Sequence, residues 1–178
     1  MGRPKQLLPY HDKSLLEHTV DIANDADAGP VIVVLGAHAA SLEKVIDQKK
    51  VHIVENKEWK EGMASSIRCG LNTLMHIAPL SDAVILMVCD QPFISESLLN
   101  DLVAVQKNTG KMIVTSLYQN ATGPPALFYK TIFPELLELK GDAGARKIVE
   151  QHSNDVATVL FNQGNIDIDT EADYKALN

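Results

Sequence analysis

The sequence is poor in sulfur, aromatic residues and positive charge, and it has no long apolar run. Its two cysteines, Cys69 and Cys89, form neither a CxxC pair nor a Cys/His zinc spacing. Two thiols cannot build the disulfide framework of a small secreted domain, so a reducing, cytoplasmic setting is expected. Aromatics make up 5% of the residues, too few for a row of base-stacking platforms. No apolar run approaches the roughly 18–20 residues of a membrane span. The opening MGRPKQLLPYHDK is polar and lacks a signal-peptide core. Basic residues number 16 against 23 acidic ones, a net charge of −7 at pH 7. Nucleic acid and anionic membranes both reward Lys and Arg, so neither is an expected partner. The phosphate-cradling loops GxGxxG and GxxxxGK[ST] are missing, and no serine or cysteine sits in a nucleophile elbow. The six histidines show no paired ligand spacing such as HxxxH.

What is present is an ordinary globular composition. The 178 residues are 46% hydrophobic and 22% charged, which at ~150 residues per domain reads as one domain spanning 1–178. Short β-branched runs recur at PVIVVLG (30–36), VHIVEN (51–56), DAVILMVCD (82–90), KMIVTSL (111–117) and VATVLF (156–161). Helical patterns separate them. Ser14 with Glu17 forms a capping box for a helix to about Asp27; further helices are expected over 41–48, 63–77 and 95–108, with Ser95 as an N-cap. QNATGPP reads as a loop. Strands alternating with helices predict an α/β fold, a mostly parallel, Rossmann-like sheet with helices on both faces.

In such sheets ligands bind beyond the carboxyl ends of the strands. Asp90 ends the most apolar run, where a carboxylate can hold a hard cation or simply cap a turn. Glu61-Gly62-Met63-Ala64-Ser65-Ser66 opens a helix. The free amides there suit an anion or a nucleotide edge, although serine capping explains the same residues. Gly2, Arg3 and Lys5 place two cations in a short N-terminal loop, and a compact ammonium suits a polyphosphate. Asp167 and Asp169 flank Ile168, which suits either a second metal contact or an N-cap for the last helix.

Read in order, MGRPKQLLPY, GAHA, NKEWKEGMASSIRCGL, VCDQPFIS, TGPPALF, GDAGAR and DIDTEADY resemble the molybdenum cofactor cytidylyltransferase family, within the nucleotidyltransferase superfamily. The resemblance implies transfer of CMP from CTP to molybdopterin carrying molybdenum, with release of pyrophosphate. It implies Mg2+, or Mn2+ in its place, held by Asp90 with Asp169 and Asp167. Lys5, flanked by Gly2 and Arg3, would neutralise the triphosphate. Glu61, Gly62, Met63, Ser65 and Ser66 would bound the base and ribose. Gly123, Pro124, Gly141 and Asp142 would border the acceptor. The partner implied is a molybdenum hydroxylase that receives the finished cofactor. Alternatives are guanylyl or sugar-phosphate nucleotidyl transfer, or a chaperone that holds the cofactor without turnover.

The family's signature loop is normally preceded by a strand and Leu-Ala-Ala-Gly, whereas this sequence opens inside that loop. The expectation is therefore about 10–20 further residues upstream, roughly one strand and its loop, or a strand borrowed by dimerising. Without it, PVIVVLG and DAVILMVCD would face each other with unpaired backbone.

Overall fold

Ser14 shows how local chemistry starts an element. Its Oγ accepts from the Glu17 amide at 3.2 Å while the Glu17 carboxylate takes the Ser14 amide at 2.9 Å. This closes the capping box that opens α1 (Leu15–Asp25). The computed structural model describes residues 4–46, 49–119, 121–168 and 171–176. A small hairpin of β1 (Pro9–Tyr10) and β2 (Lys13–Ser14) precedes α1. Then follow β3 (Ile32–Leu35), α2 (Ala39–Ile46), β4 (His52–Glu55), α3 (Met63–Ile77), β5 (Ala83–Leu86) and α4 (Glu96–Thr109). The chain continues through β6 (Ile113–Tyr118), β7 (Ala121–Tyr129), α5 (Phe133–Leu137), α6 (Arg146–Gln151), β8 (Val156–Leu160) and α7 (Glu171–Ala176). Ser95 caps α4 through the Leu98 amide, and Gly110 ends that helix in the left-handed conformation. No helix among the described residues is long and apolar enough to cross a membrane.

The α/β fold is the one expected, with one strand reversed. β5, β7, β6 and β8 form a sheet in that order, in which β7 runs antiparallel to its neighbours and β6 pairs β8 in parallel. β3 and β4 form a separate parallel pair. Side chains alternate between the faces. Ile113 and Phe128 join α3 and α5 on one side, and Val114 and Leu127 join α4 on the other. Leu35 packs against α1 and α2.

Strand β7 passes through the segment read as a loop. The backbone tolerates Pro124 and Pro125 within it because both fall at a register shift, where Thr115 pairs Ala126 and Ser116 pairs Gly123. Proline removes a ladder donor, so a bulge is where a strand can hold it. The same feature shortens β5. Its partners on β7 run from Tyr129 to Ala126, and the prolines leave residues 87–90 without a ladder, so the strand ends before Asp90.

Among the described residues, β3 and β5 each pair on one edge alone. They lie in different sheets, yet Ile32, Val84 and Leu86 pack against the same core cluster. All four residues of β5 are partly exposed, whereas Ile113 to Ser116 of β6 are buried. One edge of each of these two strands thus carries no ladder partner among the described residues. Open edges exchange with solvent readily. In the 178-residue chain, the open-edge amides of β3 and β5 should exchange at least about tenfold faster than those of β6, which is paired on both sides. Equal protection across the three strands, read by hydrogen-exchange mass spectrometry, would contradict this.

Candidate functional site

Asp90 follows β5 in an irregular segment held from several sides. Lys5, in a 3-10 turn over Lys5–Leu7, places its Nζ 2.6 Å from Asp90 Oδ2, with the two side chains 31% and 21% exposed. The Ile168 amide donates to the Asp90 carbonyl at 2.9 Å. Ile168 itself is fully buried with Leu8, Tyr10 and Leu15, which leaves its neighbour Asp167 exposed. Next to Asp90, the buried Gln91 amide donates to the Gly164 carbonyl at 2.9 Å. His18 donates Nε2–H to the Pro92 carbonyl at 3.1 Å, and burial lowers its pKa, which keeps the ring neutral. Burial pushes the Cys89 thiol up to about 11, with the Asp90 charge adding to it. That thiol is not a nucleophile at neutral pH. Tyr118 closes this side. Burial, followed by the charge of Asp167, raises its phenol pKa. A Cβ on Gly123 would lie 1.9 Å from its hydroxyl.

A second group surrounds the start of α3. Gly62 has φ of 119°, and a Cβ there would lie 2.3 Å from Asp142 Oδ1 and 2.6 Å from the Gly141 carbonyl. Glycine is required on both counts. The Ala64 amide donates to Gly141 O at 3.1 Å. Ser65 Oγ donates to Gly62 O at 2.8 Å and accepts from Asn56 Nδ2 at 2.8 Å, and the same amide reaches Ser66 Oγ at 3.1 Å. Arg68 grips Glu61 with both ends of its fork, at 3.0 and 2.5 Å, and also donates to the Leu139 carbonyl at 2.5 Å. Gly141 N donates to Glu61 Oε1 at 3.3 Å. The Arg68 bonds, then the Gly141 amide, hold the Glu61 carboxyl below its usual range. Met63 is 54% exposed and borders Gly144.

The residues singled out in the sequence thus fall into two groups. Lys5 and Asp90 meet at the first; Asp167 precedes Ile168, whose amide bonds the Asp90 carbonyl, and Gly123 of β7 lies against Tyr118, whose phenol feels the Asp167 charge. Glu61, Gly62, Met63, Ser65 and Ser66 form the second, together with Gly141 and Asp142. Gly2, Arg3 and Asp169 lie outside the described residues. Four residues were missed: Asn56, Arg68, Gln91 and Tyr118. Glu61 ends a 3-10 turn and Gly62 separates it from α3, so no helical spacing marks its pair with Arg68. Nothing local marks Tyr118.

A divalent cation suits the first group chemically. Asp90 Oδ2 already accepts one positive charge, the Lys5 ammonium. Asp90 and Asp167 are hard oxygen donors on adjoining segments. Among the described residues no group of three or more His, Cys, Asp or Glu gathers, but a Mg2+-type ion needs only one or two carboxylates plus substrate phosphates.

Comparison with known proteins gives a consistent result. The family model of the MobA-like NTP transferase domain matches residues 1–156. The crystal structure of Rv0371c from Mycobacterium tuberculosis H37Rv superposes with a TM-score of 0.82 at 32% identity, covering 99% of this chain and 90% of that one. A manganese complex of Rv0371c gives 0.80 at 30% identity, covering 99% and 92%. The purine catabolism protein PucB of Bacillus subtilis (strain 168) is 28% identical over 186 residues, 98% of this chain and 87% of that protein. Nicotine blue oxidoreductase of Paenarthrobacter nicotinovorans is 28% identical over 160 residues, 85% and 76% of the two chains.

The close approach at Gly62 is testable. Gly62→Ala should cost about 1–3 kcal/mol of stability, because the strained backbone and the contact with Gly141–Asp142 both oppose it. Gly110→Asn, where a Cβ would meet nothing within 4 Å, should cost less than about 1 kcal/mol. Equal losses in thermal unfolding would contradict the packing described.

Proposed function

The chain belongs to the MobA-like NTP transferase family, and from that premise we propose that it transfers CMP from CTP to molybdopterin carrying molybdenum. Pyrophosphate leaves, and molybdopterin cytosine dinucleotide is the product. The observation that carries this reading is the Lys5–Asp90 pair at the rim of the sheet, with Asp167 on the adjoining segment. This pair supports the reading, because nucleotidyl transfer would use a cation and a carboxylate at one place. The acceptor is a phosphate and already a nucleophile, so no protein nucleophile is required, in keeping with the protonated Cys89. What the protein must supply is alignment and cancellation of like charge around the α-phosphate.

Lys5 would lie against the triphosphate. Asp90 and Asp167, with Asp169, would hold Mg2+ or Mn2+, an ion that supplies Lewis-acid charge neutralisation when bound. The manganese complex of Rv0371c, at 30% identity, supports a divalent ion. The segment from Glu61 to Ser66 would bound the nucleoside. Gly123 and Pro124, on the Asp90 side, and Gly141 and Asp142, on the Glu61 side, would border the acceptor. The Arg3-Pro4-Lys5-Gln6-Leu7-Leu8 wording resembles the cytidylyl branch of the family, and that resemblance supports CTP over GTP. A cytoplasmic enzyme serving a molybdenum hydroxylase is the setting this reading implies.

Two outcomes test the proposal. Asp90→Asn should retain the fold and lose on the order of 10²-fold in turnover, whereas near-normal pyrophosphate release would remove Asp90 from the reaction. CTP should be used at least about 10-fold better than GTP in direct competition, a difference of about 1.4 kcal/mol. Equal use would favour the guanylyl alternative, and tight cofactor binding without any turnover the chaperone.

A further inference from the structure

Both Glu61 oxygens are engaged within the protein. Oε2 accepts from Arg68 Nη2 at 2.5 Å, and Oε1 accepts from Arg68 Nη1 at 3.0 Å and from the Gly141 amide at 3.3 Å. Arg68 Nη1 also reaches the Leu139 carbonyl, at 2.5 Å. The Gly141 carbonyl in turn accepts from the Ala64 amide at 3.1 Å. The segment 139–141 is thereby fastened to the start of α3 at three points, and Gly62 packs against Asp142 between them. A carboxylate so occupied has little left with which to read a base.

We infer that Glu61 and Arg68 are positioning residues: a clamp that locks the nucleoside-bounding turn at Gly62–Ser66 to the acceptor-side loop at Leu139–Asp142, so that the two set their positions together. This rests on the nucleotidyl-transfer reading and moves Glu61 from a nucleotide contact to a support. Arginine suits the task because its planar fork can meet both oxygens of a carboxylate and still aim an N–H at a carbonyl. Lysine offers a single point charge. The Lys5–Asp90 pair, on other segments, is not part of the clamp. Loss of the clamp should therefore disturb the nucleoside and leave the phosphates and their cation alone.

The test compares the wild type with Arg68→Ala and Arg68→Lys in two ways. In hydrogen exchange, Arg68→Ala should speed exchange at both the Ala64 and the Gly141 amides, and Arg68→Lys should do so to a smaller extent. By calorimetry with Mn2+ present, Arg68→Ala should weaken CTP binding about tenfold and leave inorganic triphosphate within about twofold. A general loss of structure would weaken both ligands alike, and that result overturns the clamp. Unchanged exchange, or acceleration at only one of the two amides, also overturns it. If Arg68→Ala fails to fold, Arg68→Lys carries the same readouts. A wild type that binds triphosphate but no nucleotide defeats the proposed function instead, and exchange at Ala64 and Gly141 then decides the clamp independently.

Discussion

Asp90 sits where three distant stretches of chain meet, and the arrangement of the site depends on how it is held. The turn after Pro4 brings Lys5 to its carboxylate, and the segment before α7 brings Ile168 to its carbonyl. Buried apolar contacts make this possible. Leu8, Tyr10 and Leu15 enclose Ile168, and the Tyr174 hydroxyl donates to the Pro9 carbonyl at 2.6 Å. A partly exposed ion pair contributes only about 0–1 kcal/mol to folding. Its importance is therefore positional. In a chain of net charge −7, a polyanion can be bound only where the few cations are concentrated.

Around this point the fold divides the work. The larger sheet, covered on both faces, is the support, and the pairing of β7 with β6 shifts register at its two prolines, next to Gly123. The pair β3–β4 and helix α3 carry the second group. A Cβ at Gly70 would lie 3.0 Å from Val34, so α3 lies close against β3. The two sheets share the core beneath α3 but no hydrogen bonds among the described residues. Relations between the two groups therefore depend on loops as well as on the sheet, which gives the fastening of Leu139–Asp142 to Glu61–Arg68 its weight.

Much of this was legible in the sequence, where local chemistry decides local structure. The Ser14–Glu17 box, the Ser95 cap and helix α3 over Met63–Ile77 follow from capping rules and helical spacing. Five apolar runs became strands, because β-branched residues suit a sheet covered on both faces. β7 was not legible. Its Gly-Pro-Pro stretch has loop composition, and only pairing with β5 and β6 makes it a strand. Asp90, Lys5 and Gly62 stood out by position and type. Tyr118 and Asn56 did not, since their roles come from neighbours that the chain brings close only on folding. Arg68 looked like one more charge on a helix until Leu139 and Gly141 were placed against it.

The groups around Asp90 and Glu61 are proposed to join a nucleotide to a phosphate acceptor. The most direct test follows the label from CTP radiolabelled at the α-phosphate, incubated with the protein, Mg2+ and molybdenum-bearing molybdopterin. Label should appear in the pterin product, with one pyrophosphate released for each transfer. An acceptor that stays bound and unlabelled, with no pyrophosphate formed, would contradict it.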